Sequence, residues 1–147
     1  MNMKILLVSD SHSDYESLDR LAKMYPEMDL YLHAGDSEQD EFSIKPFISV
    51  RGNCDHYYDF PNYIVIPSPY GNIYVQHLPF ISKSVISEHK AKIVIHGHTH
   101  ARKKEIKNGI LFINPGAISY ARDQYDGSYA IINIDSNNVE VKFYTLK

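Results

Sequence analysis

Seven residues of this chain, Asp10, His12, Asp36, Asn53, His77, His98 and His100, combine metal-ligating side chains with one kind of position: each lies just past a short apolar stretch. Asp10 and His12 follow the run ending at Val8, Asp36 the run ending at His33, and Asn53 the run ending at Val50. His77 follows Asn72 to Gln76, and His98 and His100 follow Ile93 to Ile95. Carboxylate, imidazole and amide oxygen are hard-to-borderline donors, suited to manganese, iron, zinc or nickel in sites of more than four ligands. A thiolate cluster of the structural-zinc kind is excluded, because Cys54 is the single cysteine. Seven donors suffice for two ions if one carboxylate bridges; each ion then has about four protein donors and keeps positions for water and a substrate oxygen.

Charge points the same way. Two divalent ions bring about +4; Asp10, Asp36 and a bridging hydroxide remove three, and the remaining charge of about +1 attracts a phosphodiester. Two metals about 3.5–4 Å apart also lower the pKa of a bound water and stabilise charge on attacking and leaving oxygens. The chemistry to expect is hydrolysis of a phosphoryl ester. Taken singly, Asp36 after Gly35 and Asn53 after Gly52 are also what plain turns contain, and Asp10 with His12 could be a helix-cap neighbourhood. It is the joint pattern that points to a metal site.

Such a site needs elements that bring the stretch ends together. Lys4 to Val8 is β-branched and apolar and predicts a buried strand. Ser13 is the expected cap of a following helix, with Leu18, Leu21, Ala22 and Tyr25 as its apolar stripe and Pro26 as its end. Asp29 to His33 and Phe47 to Val50 read as further strands, each closed by a polar, glycine-bearing loop. Strand-like segments then follow at Tyr63 to Ile66, Asn72 to Gln76 and Ile93 to His96, with a short helix around Ser82 to His89. Arg102 to Lys107 and Ile110 to Ile113 flank Asn108-Gly109, a strong hairpin signal. Ser128 to Asp135 and Val139 to Tyr144 form a last hairpin around Ser136-Asn137-Asn138. The expected fold is α/β: two mixed sheets packed as a sandwich with flanking helices, in a single domain over residues 1–147. Loops at the carboxyl ends of parallel strands converge on one crevice. Residues two apart in extended chain face the same side, so Asp10 with His12, and His98 with His100, would each present two ligands there.

Composition narrows the classes. The net charge of −3 gives no nucleic-acid signal, and Arg102 to Lys107, with Glu105 inside it, reads as a solvated strand face. No apolar run approaches the roughly 18 residues that span a bilayer. The run at residues 5 to 8 is too short for a signal-peptide core, and one cysteine fits a reducing compartment. A cytoplasmic protein without a membrane partner is expected; homo-oligomerisation is left open.

Asp10-Ser11-His12, Gly35-Asp36, Gly52-Asn53-Cys54-Asp55 and Gly97-His98-Thr99-His100 occur in the order and approximate spacing of the calcineurin-like metallophosphoesterase superfamily. Within it the sequence resembles the small bacterial and archaeal phosphodiesterase group, and Asn114-Pro115-Gly116 is similar to a further stretch common there. These blocks cover nearly the whole chain. The resemblance implies a metallophosphoesterase fold and two divalent ions, with manganese favoured over nickel, zinc, iron or magnesium. One ion would take Asp10, His12 and His100, the other Asn53, His77 and His98, and Asp36 would bridge. Asp36, Asn53 and His77 would serve catalysis, in which a metal-bridging hydroxide attacks a small phosphodiester.

Two departures stand out. Many members carry His after the metal-binding Asn, where it protonates the leaving group; here it is Cys54, as in the small phosphodiesterase group. A positioned general acid is worth about 10²–10⁴ in rate, so its loss favours diesters with good leaving groups, or another acid such as His56. Leu78 stands where the family has glycine after its histidine, which predicts a different path for that loop. The alternatives are a phosphomonoesterase, or a scaffold such as the retromer subunit that shares the fold; completeness of the ligand set favours an enzyme. A metallo-β-lactamase is excluded, because Ala101-Arg102 follow His100 where that family has Asp-His.

Other residues have assignable roles. His33 and His96 are either packed or hydrogen-bonded behind a ligand, and His89 is expected at the surface. Asp55 orients its loop, Arg122 touches substrate phosphate or forms a surface ion pair, and Tyr57 and Tyr58 are candidate rim contacts.

Overall fold

The computed structural model describes residues 2–56, 59–123 and 126–146. In chain order the elements are β1 (Met3–Val8), α1 (Tyr15–Met24), β2 (Leu30–His33), β3 (Ile48–Ser49), β4 (Tyr63–Ile66) and β5 (Asn72–Gln76). They continue as α2 (Lys83–Glu88), β6 (Ala91–Ile95), β7 (Arg102–Lys107), β8 (Ile110–Pro115), β9 (Ser128–Ile134) and β10 (Val139–Thr145). One sheet runs β10-β9-β1-β2-β3 and the other β4-β5-β6-β8-β7. β1, β2 and β3 are parallel neighbours, as are β5, β6 and β8, while β9, β10, β4 and β7 join antiparallel at the flanks. Both sheets are therefore mixed, as the segment pattern predicts.

The apolar runs are continuous because both faces of the central strands are covered. Ile5 and Leu7 of β1 point inward to a shared core with Ile73, Val75, Ile93, Ile95 and Ile113 from the other sheet. Leu6 and Val8, one residue out of phase, point outward onto Leu18 and Leu21 of α1 and onto Phe47. On the opposite side Tyr74, Ala91 and Val94 pack against Val85 and Ile86 of α2. The helices thus close the two outer faces, and no described helix is long and apolar enough to cross a membrane.

Two local expectations are corrected. The cap of α1 is Asp14, whose carboxylate accepts from the Ser17 N–H at 3.1 Å. Ser13 has a left-handed backbone and gives its N–H to the Ser37 carbonyl at 2.7 Å, so it belongs to the preceding loop. The strand expected over Phe47 to Val50 shrinks to Ile48–Ser49, because the Phe47 N–H turns back onto the Ile44 carbonyl. The Asn108-Gly109 hairpin forms as expected, with positive φ at both residues.

Candidate metal centre

The carboxyl ends of β1, β2, β3, β5 and β6 meet at one end of the sandwich, and backbone hydrogen bonds knit their loops together. The Asp10 and His12 N–H groups donate to the Gly35 and Asp36 carbonyls, each at 3.0 Å. The Gly97 N–H donates to the His77 carbonyl at 3.0 Å, and the Ser119 N–H to the Asp10 carbonyl at 3.1 Å. Asn114 pins the His98 loop: its amide donates to the Gly97 carbonyl at 3.2 Å and to Thr99 Oγ1 at 2.9 Å. That is the structural work of the Asn114-Pro115-Gly116 block. The approaches are close enough to require glycine, as Gly52 and Gly97 illustrate. A Cβ on Gly52 would overlap Asp36, and one on Gly97 would overlap Ser9 and crowd Asp10.

Five of the seven candidate ligands, Asp10, His12, Asp36, His98 and His100, have positive φ, between 44° and 73°. Asp and His tolerate this region better than most residues, yet each such position costs on the order of 1–3 kcal/mol. The local chain is thus not extended as the spacing argument assumed: His98 and His100 both reach the crevice, but they part within it. His98 turns to Asn53, with its Nδ1 3.1 Å from Asn53 Oδ1. His100 turns to Asp10, with Nε2 3.2 Å from Oδ1.

The side chains gather in overlapping groups. Ligand atoms of Asp10, His12 and His100 lie within 4.8 Å of one another, and so do those of Asp10, Asp36 and His77. His77 Nε2 is 3.2 Å from Asp36 Oδ2 and 3.7 Å from Asp10 Oδ1. The His98 ring stands edge-on to that of His77 at 5.3 Å, which places the Asn53–His98 pair beside the second group. Asp10 Oδ1 reaches both groups, whereas Asp36 has one oxygen beside His77 and the other accepting from the Cys54 N–H at 2.8 Å.

Donor availability decides what this arrangement suits. Asp10 Oδ2 accepts from Ser9 Oγ at 2.5 Å and from the His98 N–H at 3.1 Å. Among the described residues its Oδ1 and Nε2 of His77 are buried without a well-aligned hydrogen bond, although His100 Nε2 lies 3.2 Å from the first and Asp36 Oδ2 3.2 Å from the second. Two buried polar atoms aimed into the same group without a well-aligned hydrogen bond carry a desolvation cost, which a cation at that point offsets. His77 and His100 each direct Nδ1 to a backbone carbonyl, Ala34 at 2.8 Å and Tyr120 at 2.9 Å, so that Nε2 faces the group.

Electrostatics agree. Burial works against ionisation of Asp36, but His77 and the Cys54 N–H outweigh it and bring the carboxyl down to about 2. Burial likewise opposes ionisation of Asp10, yet His100, His77 and Ser9 hold it below its ordinary range. The Asp10 carboxylate 3.2 Å away raises His100 against the effect of burial. Burial opposes charging of His77 too, but Asp36 and Asp10 push it up. A pocket that favours protonated imidazoles has a negative potential, and a divalent cation satisfies the same potential. The family features and these residue groups are compatible with divalent metal ions.

Sequence reasoning missed Glu38, whose Oε1 lies 2.6 Å from His12 Nδ1. The available signal was Gly35-Asp36-Ser37-Glu38: a second carboxylate two residues past a candidate ligand. Asp55 does orient loops. Its Oδ2 accepts from the N–H groups of Asp36 and Gly52, at 2.9 and 2.8 Å, and its Oδ1 from that of Glu38 at 2.8 Å. His33 lies wholly buried behind the loops, bonded to Ser11 Oγ at 2.9 Å and to the Gly35 N–H at 3.0 Å. His96 is buried as well, with Nδ1 3.0 Å from the Gly97 carbonyl. His89, expected at the surface, is half-buried there and packs its ring against Tyr63 and Tyr74, with centroids 5.0 and 5.4 Å away. Arg122 is exposed beside the site and donates its backbone N–H to the His100 carbonyl at 2.8 Å. Burial, with Asp36 nearby, pushes the Cys54 thiol up to about 11. Tyr57 and Tyr58 lie outside the described residues. A cleft of 310 Å³, lined by Gly52, Asn53, His77 and Leu78 among others, opens beside the centre. A larger cavity of 850 Å³ lies over the outer face of the second sheet and contains none of the candidate ligands.

Residues 3–137 match the calcineurin-like phosphoesterase superfamily domain. The chain is 34% identical over 153 residues to the probable metallophosphoesterase YsnB of Bacillus subtilis strain 168, with 97% of this chain and 90% of that protein covered. Among solved structures it resembles a conserved protein of Streptococcus pneumoniae TIGR4 described as a predicted phosphoesterase. The TM-score is 0.88 at 29% identity, covering 99% of this chain and 91% of that one. The fold is also that of Vps29 from Entamoeba histolytica, with TM-score 0.75, 21% identity, and 97% and 92% covered.

Proposed function

This chain belongs to the calcineurin-like phosphoesterase superfamily, and from that premise we propose that it is a two-metal phosphodiesterase acting on small phosphodiesters in the cytoplasm. The carrying observation is the convergence of two overlapping ligand groups on buried Asp10 Oδ1 and His77 Nε2, neither of which makes a well-aligned hydrogen bond among the described residues. Asp10, His12 and His100 would hold one ion, and Asn53, His77 and His98 the other. Asp36 is proposed as the bridge, with Asp10 Oδ1 at the same boundary. The mixed nitrogen and oxygen set suits manganese, iron, zinc or nickel, and the family resemblance favours manganese among them. When bound, the ions supply a lowered water pKa and stabilisation of charge on the attacking and leaving oxygens.

The chain's own part is preorganisation. Asp10 and Asp36 stay ionised through the neutral range, their carboxyls held low by imidazoles and N–H donors. The loops that carry them are fixed by backbone bonds, so no reorganisation is required when substrate arrives. Preference for diesters rests on Cys54. Its thiol, pushed up to about 11, is poorly matched to proton transfer near neutral pH, where a pKa close to ambient serves best. Substrates whose leaving group needs no strong acid are therefore favoured.

The test is hydrolysis of bis-p-nitrophenyl phosphate against p-nitrophenyl phosphate on chelated protein reloaded with Mn²⁺, beside an Asp36→Asn variant. Metal-dependent turnover that favours the diester, lost in the variant, is expected. Full activity in Asp36→Asn would refute the ligand assignment. No turnover of either substrate with stoichiometric metal bound would favour a scaffold, a reading that draws on the shared fold with Vps29.

A further inference from the structure

Three imidazoles in the centre present Nε2 to the ligand groups, and two of them are held there by backbone. His77 and His100 direct Nδ1 to the carbonyls of Ala34 and Tyr120. His12 is held differently. Its Nδ1 meets a side-chain carboxylate, Glu38 Oε1, at 2.6 Å, while its Nε2 lies 3.4 Å from His100 Nε2 and 3.9 Å from Asp10 Oδ1. We propose that Glu38 is a positioning residue that locks His12 in the Nδ1–H tautomer and aims its Nε2 at the centre. A free neutral imidazole prefers its proton on Nε2, so the orienting partner matters more for His12 than geometry alone suggests.

The device extends one step further. Glu38 has a left-handed backbone, φ 56°, and its N–H donates to Asp55 Oδ1 at 2.8 Å. The other oxygen of Asp55 holds the N–H of Asp36. One buried carboxylate therefore places both Asp36, in the second ligand group, and Glu38, behind the first. A carboxylate bonded to the far nitrogen of an imidazole also raises its basicity as a ligand, and removing such partners weakens metal binding about 10–100-fold. Cys54 lies in the same neighbourhood, grouped with His12 and Glu38 within 4.8 Å.

The metal-binding consequence rests on the two-metal reading; the tautomer does not. The protein is labelled with ¹⁵N-histidine, and long-range ¹H–¹⁵N correlation spectra are recorded on the metal-free form at alkaline pH, with His12 assigned by a His12→Gln variant. Wild type is expected to show His12 with a protonated Nδ1 and an unprotonated Nε2. Glu38→Ala should move His12 to the opposite tautomer or a mixture and leave His77 and His100 unchanged. Glu38→Gln, which keeps an accepting oxygen and the fold, should retain the wild-type tautomer. Mn²⁺ titration should then show one site weakened about 10–100-fold in Glu38→Ala and the other unchanged. A wild-type His12 tautomer in Glu38→Ala overturns the proposal, as does equal weakening of both sites. Wild-type protein that binds no Mn²⁺ would instead refute the two-metal reading, with the tautomer spectra still deciding the role of Glu38.

Discussion

His33 gives the chain an acid sensitivity that its surface does not reveal. The Gly35 N–H points at Nδ1, so Nδ1 accepts, and Nε2 carries the proton and donates to Ser11 Oγ. A second proton would have to sit on Nδ1, facing another donor, in a wholly buried ring. Burial brings the pKa of His33 from an ordinary 6.5 down to about 4. Between those values the unfolded chain binds the proton and the folded one does not, so stability is fully present above pH 6.5 and falls as pH drops towards 4. At about 1.4 kcal/mol per pKa unit, the loss reaches about 3 kcal/mol by pH 4. The assay is urea unfolding of metal-free protein across that range, for wild type and His33→Gln. Glutamine can bond similar partners but cannot titrate. Asp10, Asp36, His77 and His100 also carry linked protons, the carboxylates with stability lost on acidification and the imidazoles with stability lost as pH rises. These are common to both proteins and cancel in the difference, apart from the charge coupling of Asp10, Asp36 and His77 to His33 itself. Wild type should lose about 3 kcal/mol relative to the variant between pH 7 and pH 4. Parallel curves, or an NMR titration of His33 near 6.5, would refute the reasoning.

Two further substitutions test how the loops and the leaving-group position work. Asp55→Asn replaces a carboxylate that accepts three backbone N–H bonds with a group that offers one oxygen and two opposing donors. At about 1–3 kcal/mol per buried group left unpaired, a loss of about 2–5 kcal/mol is expected in urea unfolding, together with weaker Mn²⁺ binding; a change below about 0.5 kcal/mol would contradict the role given to Asp55. Cys54→His places an imidazole beside Asn53, and turnover of a diester with a poor, alkyl leaving group should rise by up to about 10²–10⁴ relative to bis-p-nitrophenyl phosphate. An unchanged ratio in steady-state assays would remove Cys54 from the account of substrate preference.

The fold was legible in the sequence because its signals are local. Runs such as Ile5 to Val8 and Ile93 to Ile95 are apolar on both faces, Asn108-Gly109 requires a tight hairpin, and glycine-bearing polar loops end the strands. The two-residue β3 was overextended because Phe47 is apolar for another reason: it packs under the first sheet after its N–H has closed a turn. By residue type Ser13 and Asp14 are equally good caps. Only the pairing of the Ser13 N–H with the Ser37 carbonyl separates them.

The sequence by itself determined which donors were available and that they stand at strand ends, since residue type and hydrophobic period are properties of the chain in order. Tertiary structure alone decided how those donors are shared out. His98 and His100 are neighbours in sequence, yet left-handed turns send one to Asn53 and the other to Asp10. Glu38 acquires its meaning from a ring 26 residues away, and His33 acquires its tautomer from the Gly35 N–H and a hydroxyl on another loop. Proton positions, orphaned atoms and shared ligands depend on distances between loops. Those distances are set when two sheets close over a common core, and no local pattern encodes them.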